Sequence, residues 1–137
     1  MFKELKKTLF MYDKSLITDI FQHIDDILHT LTEATKDITN LYTLPESADG
    51  TLRLNGICMC LLVVGEELKK IDKLTDKQLL PQYCSIPWQE IMGMRDKIAH
   101  HYFEIDIDII SDILRDDVPP LIATTKQIIR DVNNKIS

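Results

Sequence analysis

The residues best suited to chemistry lie in one short segment, residues 95–102, which contains Arg95, His100 and Tyr102. Arginine offers a permanent planar cation that matches a phosphate, and histidine can give or take a proton near neutral pH. The tyrosine phenol can orient a phosphate or a ribose 2′-hydroxyl, and its ring can stack on a base. The set suits metal-free RNA cleavage, in which histidine helps the 2′-hydroxyl attack the adjacent phosphorus and arginine stabilises the developing charge.

The spacing within this segment restricts how these side chains can meet. On a helix, Arg95 and Tyr102 are nearly in line, whereas His100 is turned by about 140° from Arg95 and lies about 7.5 Å further along the axis. Arg95 and His100 therefore converge only if the helix ends near His100 or if a second subunit contributes one of them. A simpler interpretation stays open, because basic residues near a helix C-terminus are common and interact favourably with the helix dipole.

Two acidic pairs elsewhere in the chain have simpler interpretations than catalysis. We expect one carboxylate of Glu66 and Glu67 to pair with Arg95 across the bundle, because an arginine beside the core needs a partner. Asp25 and Asp26 could imitate paired catalytic carboxylates, but a solvated helix face explains them as well.

The sequence predicts neither a metal site nor a bound cofactor. His23 and His29 are six residues apart and do not share a helix face. The chain has no Glu-x-x-His pattern and no Gly-rich phosphate loop. A modest basic run is expected to be a solvated edge rather than an RNA track; it consists of Lys69, Lys70, Lys73 and Lys77.

The composition favours one soluble cytoplasmic domain over residues 1–137. The net charge of −6 argues against a broad nucleic-acid footprint but permits a small basic pocket. Three cysteines, at positions 58, 60 and 84, leave no disulfide framework, so we expect reduced, semi-buried thiols. The first seven residues are too charged for a secretory signal, and the longest apolar stretch, residues 57–64, is too short to span a bilayer.

Apolar periodicity predicts an all-α, up-down helical bundle of four main helices plus a short one. The first helix is expected over residues 15–31, continuing through Ile38 to Leu41, and the second over residues 51–71. A short helical turn should follow at 75–83, and the third main helix at 87–101. After an extended linker at 104–108, the last helix should run over 108–134, interrupted or kinked by Pro119 and Pro120.

The order of Arg95, His100 and Tyr102 matches the Arg-x4-His-x-Tyr motif of HEPN domains in the HepT toxin family. Four further segments resemble that family in the right order, beginning with residues 11–13, which resemble its usual start. Residues 60–68 resemble its second-helix segment with a Gly-Glu pair, residues 86–91 its Ile-Pro-Trp lead into the motif helix, and residues 102–106 the segment after the motif. The resemblance covers roughly residues 11–129.

This resemblance implies a homodimer with the motif in a cleft between subunits, and metal-independent RNA cleavage by Arg95 and His100. Asp96 is in pattern for the position after the motif arginine, and His101 fills a variable motif position, so both are accessory candidates together with Tyr102. The resemblance also implies a small nucleotidyltransferase antitoxin that transfers AMP to Tyr102. Such a bulky, negatively charged group beside the arginine would block the cleft.

An alternative function is a non-catalytic HEPN binding module that partners a nucleotidyltransferase. Two features motivate it: the acidic net charge and Glu104, an extra acid beside the motif. RNA cleavage by the unmodified protein would decide between the two functions.

Overall fold

The computed structural model describes residues 3–4, 12–100 and 105–134, and these parts of the chain contain helices and no strand. The four main helices are α1 (Lys14–Thr35), α2 (Ala48–Leu74), α3 (Trp88–His100) and α5 (Val118–Asn134), and α4 (Ile107–Asp112) is short. Two 3₁₀ turns, Leu41–Glu46 and Leu80–Gln82, and one π-helical turn, Ile113–Asp117, lie between them. The predicted all-α fold with four main helices and one short helix is confirmed.

Helix α1 ends at Thr35, so its predicted continuation to Leu41 is wrong. The hydroxyls of Thr32 and Thr35 donate to backbone carbonyls one turn earlier, a bonding pattern that weakens a helix. Arg53, which lies on α2, donates to the free carbonyl of Ala34 at 2.8 Å and so closes the helix end. These partners come from the tertiary fold and are invisible in the periodicity of α1.

Helix α2 is central to the bundle and packs against both α1 and α3. It runs antiparallel to α1, because Arg53 reaches the end of α1 while Glu67 meets His23 near its middle. By length and composition α2 could cross a membrane, a test that the core helix of a soluble protein also passes. One side of α2 is buried in the core along most of its length: Leu54, Ile57, Cys58, Leu61, Val64, Leu68 and Ile71.

The loop after α2 contains two residues in the left-handed backbone conformation, Asp76 with φ 49° and Lys77 with φ 61°. The amide of Lys77 donates to the carbonyl of Asp72 at 2.8 Å, the bond that closes a Schellman-type helix end. The hydroxyl of Tyr12 donates to Asp76 Oδ2 at 2.6 Å and holds the loop from outside. Of the short helix predicted over 75–83, only the 3₁₀ turn Leu80–Gln82 forms.

The two adjacent prolines, Pro119 and Pro120, lie in the first turn of α5, directly after the π-helical turn. A proline ring clashes with the carbonyl four residues earlier, and for these two prolines those carbonyls belong to Arg115 and Asp116 within the π-helical turn. The wider turn, in which the amide of Val118 donates to Ile113, accommodates both rings. The predicted interruption is therefore confirmed, and its form is a π-helical turn.

A buried polar cluster ties α5 to the segment that leads into α3. Tyr83 donates to Asp131 Oδ2 at 2.7 Å, and Gln127 donates to the other carboxylate oxygen at 2.7 Å. The indole nitrogen of Trp88 donates to the carbonyl of Tyr83 at 2.8 Å. Burial, and then the hydrogen bond to Asp131, raises the pKa of Tyr83 far above its usual value.

Asp25 is buried, so the expected solvated face is wrong for this residue, although Asp26 is exposed. Lys126 of α5 lies 3.5 Å from one Asp25 oxygen, and His29 lies 3.6 Å from the other. Lys126 is also 2.9 Å from the ring of His29. The packing of α5 on α1 thus converts an acidic helix position into a structural ion cluster.

The three cysteines are free and differ in exposure: Cys58 is buried, Cys60 is half-buried and Cys84 is exposed. Burial raises the pKa of the Cys58 and Cys60 thiols. The prediction of semi-buried thiols therefore holds for these two and is wrong for Cys84, which lies in the loop before α3.

Candidate active site

Helix α3 carries the first half of the predicted motif and is fixed from its first turn. The carbonyl of Pro87 accepts from the amide of Ile91, so the proline stands just before the helix. Ile91, Met92 and Met94 are buried against the core. This packing orients α3 and leaves Arg95 at the edge of its buried face, half-exposed.

Gly65 of α2 makes room for Arg95. A Cβ on Gly65 would lie 3.1 Å from the Arg95 Cβ and 3.6 Å from the backbone oxygen of Ile91. Gly65 therefore permits α2 and α3 to pack closely. Gly56, on the same helix, differs, because a Cβ there would meet nothing within 4 Å.

The guanidinium of Arg95 contacts two carboxylates. Its Nε forms an ion pair with Glu66 Oε1; both atoms are out of reach of solvent but are not aligned as a hydrogen bond. Its NH1 group donates to Asp96 Oδ1 at 2.7 Å. The Asp96 hydrogen bond and then the Glu66 charge raise the pKa of Arg95, which stays charged at any physiological pH. The predicted pairing with the acidic pair is confirmed for Glu66, while Glu67 contacts His23 and Lys70 instead.

Asp96 joins the arginine to a lysine on α2. The same Oδ1 atom that accepts from Arg95 lies 3.5 Å from the Nζ of Lys69. The hydrogen bond from Arg95 and then the charge of Lys69 lower the pKa of Asp96. Four side chains of alternating charge therefore bridge α2 and α3: Glu66, Arg95, Asp96 and Lys69.

The other half of the motif lies at or beyond the end of α3. The described part of α3 reaches His100. The side chain of His100 lies outside the described part of the chain, as do His101, Tyr102 and Glu104. Their roles remain predictions. Within the described residues, no group of three or more His, Cys, Asp or Glu side chains could hold a metal ion.

A mostly apolar cavity of about 370 Å³ opens beside the end of α3. It lies between α2, the last turns of α3 and the start of α4, and its lining includes Cys58, Lys97, Ile98, Ile105 and Ile109. Lys97 is exposed and is the charged group at its rim on the motif helix. The cavity offers space next to the motif that a base or a sugar could enter.

Sequence reasoning missed the contact between Lys69 and Asp96. The available signal was the spacing from Glu66 to Lys69, three residues apart on one helix face, next to Gly65. Only the antiparallel arrangement of α2 and α3 brings Asp96 to that position.

Comparisons with known proteins identify the family of the chain. A family model described as "Ribonuclease HepT-like" matches residues 24–128. A Methanocaldococcus jannaschii protein named as a putative RNase is 30% identical over 122 residues, or 89% of this chain and 95% of the relative. A second such protein from that organism is 29% identical over 89% of this chain and 91% of the relative. No solved structure gives a significant match.

A Thermococcus cleftensis protein named "Probable ribonuclease HepT" is 35% identical over 65 residues, which is 47% of this chain and 56% of the relative. The matched region 24–128 covers well over half of the chain and includes α2, α3 and Arg95. The ribonuclease prediction is confirmed at the level of the family. The chain belongs to the HepT-like ribonuclease family.

Proposed function

We propose that this protein is a metal-independent RNA endonuclease toxin that acts as a cytoplasmic homodimer and is neutralised by a nucleotidyltransferase partner. The observation that carries the proposal is the setting of Arg95. The arginine packs against Gly65, is oriented by Glu66 and Asp96, and is half-exposed on the helix that carries the motif. A permanent cation held in this way suits a phosphate that gains charge during reaction.

The proposed reaction is an internal phosphoryl transfer within RNA. The ribose 2′-oxygen attacks the adjacent phosphorus, the 2′-O–P bond forms and the P–O5′ bond breaks. His100 accepts the 2′-hydroxyl proton, and the departing 5′-oxygen takes up a proton, from the imidazolium or from water. Arg95 stabilises the additional charge on the phosphoryl oxygens. The products are a 2′,3′-cyclic phosphate and a free 5′-hydroxyl.

An exposed apolar stripe on α2 supports the homodimer. Leu52, Gly56 and Met59 are exposed on one face of the helix, and the half-buried Val63 continues the same line. One turn beyond Val63 this line reaches Glu66, the partner of Arg95. A two-fold contact along the stripe would bring two copies of the site toward one cleft and would cover apolar surface that the monomer leaves in water.

Cleavage of single-stranded RNA in the presence of a metal chelator tests the activity. We expect Arg95→Ala and His100→Ala each to lower the rate by roughly a hundredfold or more. Arg115→Ala is the matched control, because Arg115 also contacts two carboxylates, Asp112 and Asp116, but lies away from α3. Equal rates for the parent protein and the two site variants would refute the assignment.

The proposed neutralisation is AMP transfer to Tyr102. Coexpression with a small nucleotidyltransferase of the kind that the resemblance implies, followed by intact-mass measurement, should give a gain of AMP that Tyr102→Phe abolishes. The modified protein should cleave no RNA, because the added phosphate is negative and competes with substrate for Arg95.

A second candidate is a non-catalytic module that only binds the nucleotidyltransferase. The two carboxylates on Arg95 favour it, because they already neutralise the cation that a substrate phosphate would need. A stable complex together with RNA that stays intact at any protein concentration would support this candidate.

A further inference from the structure

A continuous groove runs between the C-terminal part of α2 and the first half of α3. It consists of two adjoining depressions of about 460 Å³ and 410 Å³, which share four lining residues: Asp72, Lys77, Gln89 and Met92. One end is lined by Lys69 and Asp96, so it begins at the side chain that holds Arg95. The groove therefore leads directly to the candidate active site.

Three lysines at intervals of four residues line this groove. Lys69 and Lys73 lie about 6 Å apart along the axis of α2, and Lys77 lies in the loop that follows the helix. Lys69 is engaged by Asp96. Lys73 and Lys77 are exposed and line the groove, and in the described part of the chain neither makes an ion pair. In a protein with a net charge of −6, this row of cations is a local exception.

Asp72 lines the groove together with these two lysines and is buried. Burial raises its pKa, and the charge of Lys77 partly opposes that rise. Asp96 also lines this part of the groove, but its carboxylate is already engaged by Arg95 and Lys69. Among the described residues, the exposed charges that remain unpaired in this part of the groove are therefore those of Lys73 and Lys77.

The far end of the groove is mostly apolar, although the exposed side chains of Gln89 and Glu90 also belong to its lining. Pro81 and Pro87 are exposed there, with the edge of Trp88 and the side chain of Met92 between them. Trp88 is fixed by the hydrogen bond from its indole nitrogen to the carbonyl of Tyr83. A rigid apolar wall beside a row of cations is the combination that single-stranded nucleic-acid sites use, since bases pack on the wall while phosphates follow the charge.

The backbone of Lys77 is held in a costly conformation. Lys77 and the preceding Asp76 both have positive φ, where glycine would be less strained. Both positions nevertheless carry residues larger than glycine. The side chain of Asp76 accepts a hydrogen bond from Tyr12, and the side chain of Lys77 lines the groove. Strain of this kind often accompanies a functional role for the side chain.

We propose that this groove binds the strand of RNA next to the scissile phosphate, with successive phosphates on Lys73 and Lys77 and a base against the wall of Pro81, Pro87 and Trp88. The inference rests on the proposed ribonuclease function, because the groove is useful only as an approach to Arg95. It replaces the expectation that this lysine run is a solvated edge.

The test is the salt dependence of binding to a fluorescent single-stranded oligouridylate, measured by anisotropy in the uncleaving Arg95→Ala protein. Lys73→Ala with Lys77→Ala should weaken binding and reduce the slope of log affinity against log salt by about 1.4, or about 0.7 for each lost phosphate contact. Two single lysine variants, Lys70→Ala and Lys36→Ala, are controls that should leave the slope unchanged. Lys70 is next to Lys69 in sequence but does not line the groove. Lys36 directly follows the last residue of α1 and also lies outside the groove.

Further measurements distinguish a loss of RNA binding at the groove from unfolding and from binding elsewhere on the protein. Lys73→Arg with Lys77→Arg should restore the slope, which an effect on folding would not do. The only tryptophan, Trp88, should change its fluorescence when the oligonucleotide fills the groove. Single-stranded DNA of matching sequence should bind with the same slope, because its phosphates are the same, but it should not be cleaved because it lacks the 2′-hydroxyl.

Cleavage assays separate this inference from the proposed function. A dinucleotide is long enough to reach Arg95 but not the groove. The protein with Lys73→Ala and Lys77→Ala should therefore cleave a dinucleotide at the parental rate, and it should cleave long RNA several-fold more slowly. An unchanged slope and unchanged cleavage of long RNA would overturn the groove while the ribonuclease stands. A reduced slope in a protein that cleaves no RNA would retain the groove and overturn the nuclease.

Discussion

Gly65 and Arg95 meet where α2 and α3 approach most closely, and a Cβ on the glycine would lie only 3.1 Å from the Cβ of the arginine. Two backbone oxygens of α3, those of Ile91 and Met92, lie within 4 Å of the same point. Because Gly65 has no Cβ, α2 and α3 can pack at this short separation. The separation in turn determines the position of Arg95 relative to Glu66.

The first prediction concerns this contact. Gly65→Ala should push α3 outward by a few tenths of an ångström, lower the free energy of unfolding by about 1 kcal/mol and reduce RNA cleavage. Gly93→Ala, on α3, where a Cβ would meet nothing within 4 Å, should raise stability by up to about 1 kcal/mol, because alanine favours a helix over glycine. Chemical denaturation of both variants checks the contrast, and equal effects would show that the Gly65 contact is unimportant.

The second prediction concerns the acid that faces the groove. Asp96→Asn removes a negative charge from beside Arg95 and Lys69, so affinity for single-stranded RNA should rise by roughly threefold at low salt. The pKa of Asp96 is lowered, so the difference between variant and parent should be the same from pH 8 to pH 5. Anisotropy titrations measure it; weaker binding by the variant would mean that Asp96 chiefly positions the two cations.

The third prediction concerns the apolar stripe of α2. Met59→Glu would place two negative charges near a two-fold axis, so the dimer should dissociate at least tenfold more readily while the fold of each subunit persists. Leu16→Glu is the control, because Leu16 is also exposed but lies on α1. Sedimentation at several concentrations distinguishes the two; a parent protein that is already monomeric would refute the proposed interface.

The fourth prediction concerns the buried pair Tyr83 and Asp131. Tyr83→Phe removes one donor from a buried carboxylate that keeps Gln127, and should cost about 1 kcal/mol of stability. The exposed Tyr42→Phe should cost nothing. Because the pKa of Tyr83 is raised in the fold, its contribution is complete below about pH 10 and is lost as the pH rises further. Thermal melting should therefore fall more steeply above pH 10 for the parent protein than for Tyr83→Phe.

Much of this architecture follows from local pattern. The periodicity of α2 and α3 predicted their extents to within a few residues, and the expected linker around Ile105 ends where Asp106 caps α4. The partner of Arg95 was foreseen because a charged group next to a core must be compensated, and the nearest acids on the adjacent helix were Glu66 and Glu67.

The features that escaped prediction depend on contacts between distant parts of the chain. Nothing near Asp25 in sequence indicates that Lys126 would cover it, and nothing near Thr35 indicates that Arg53 would close the end of α1. The left-handed residues Asp76 and Lys77 escaped for another reason, since both are residues that usually avoid this conformation. In each case the three-dimensional fold overrides the local preference.

The unequal exposure of the cysteines makes this molecule suited to distance spectroscopy without mutagenesis. Cys84 is exposed, whereas Cys58 is buried and the raised pKa of Cys60 slows its alkylation. A nitroxide reagent should therefore attach at one place per subunit, in the loop where α3 begins. Dipolar coupling between two such labels would give a single interspin distance in a homodimer, and that distance would report any movement of the motif helices when RNA or AMP is added.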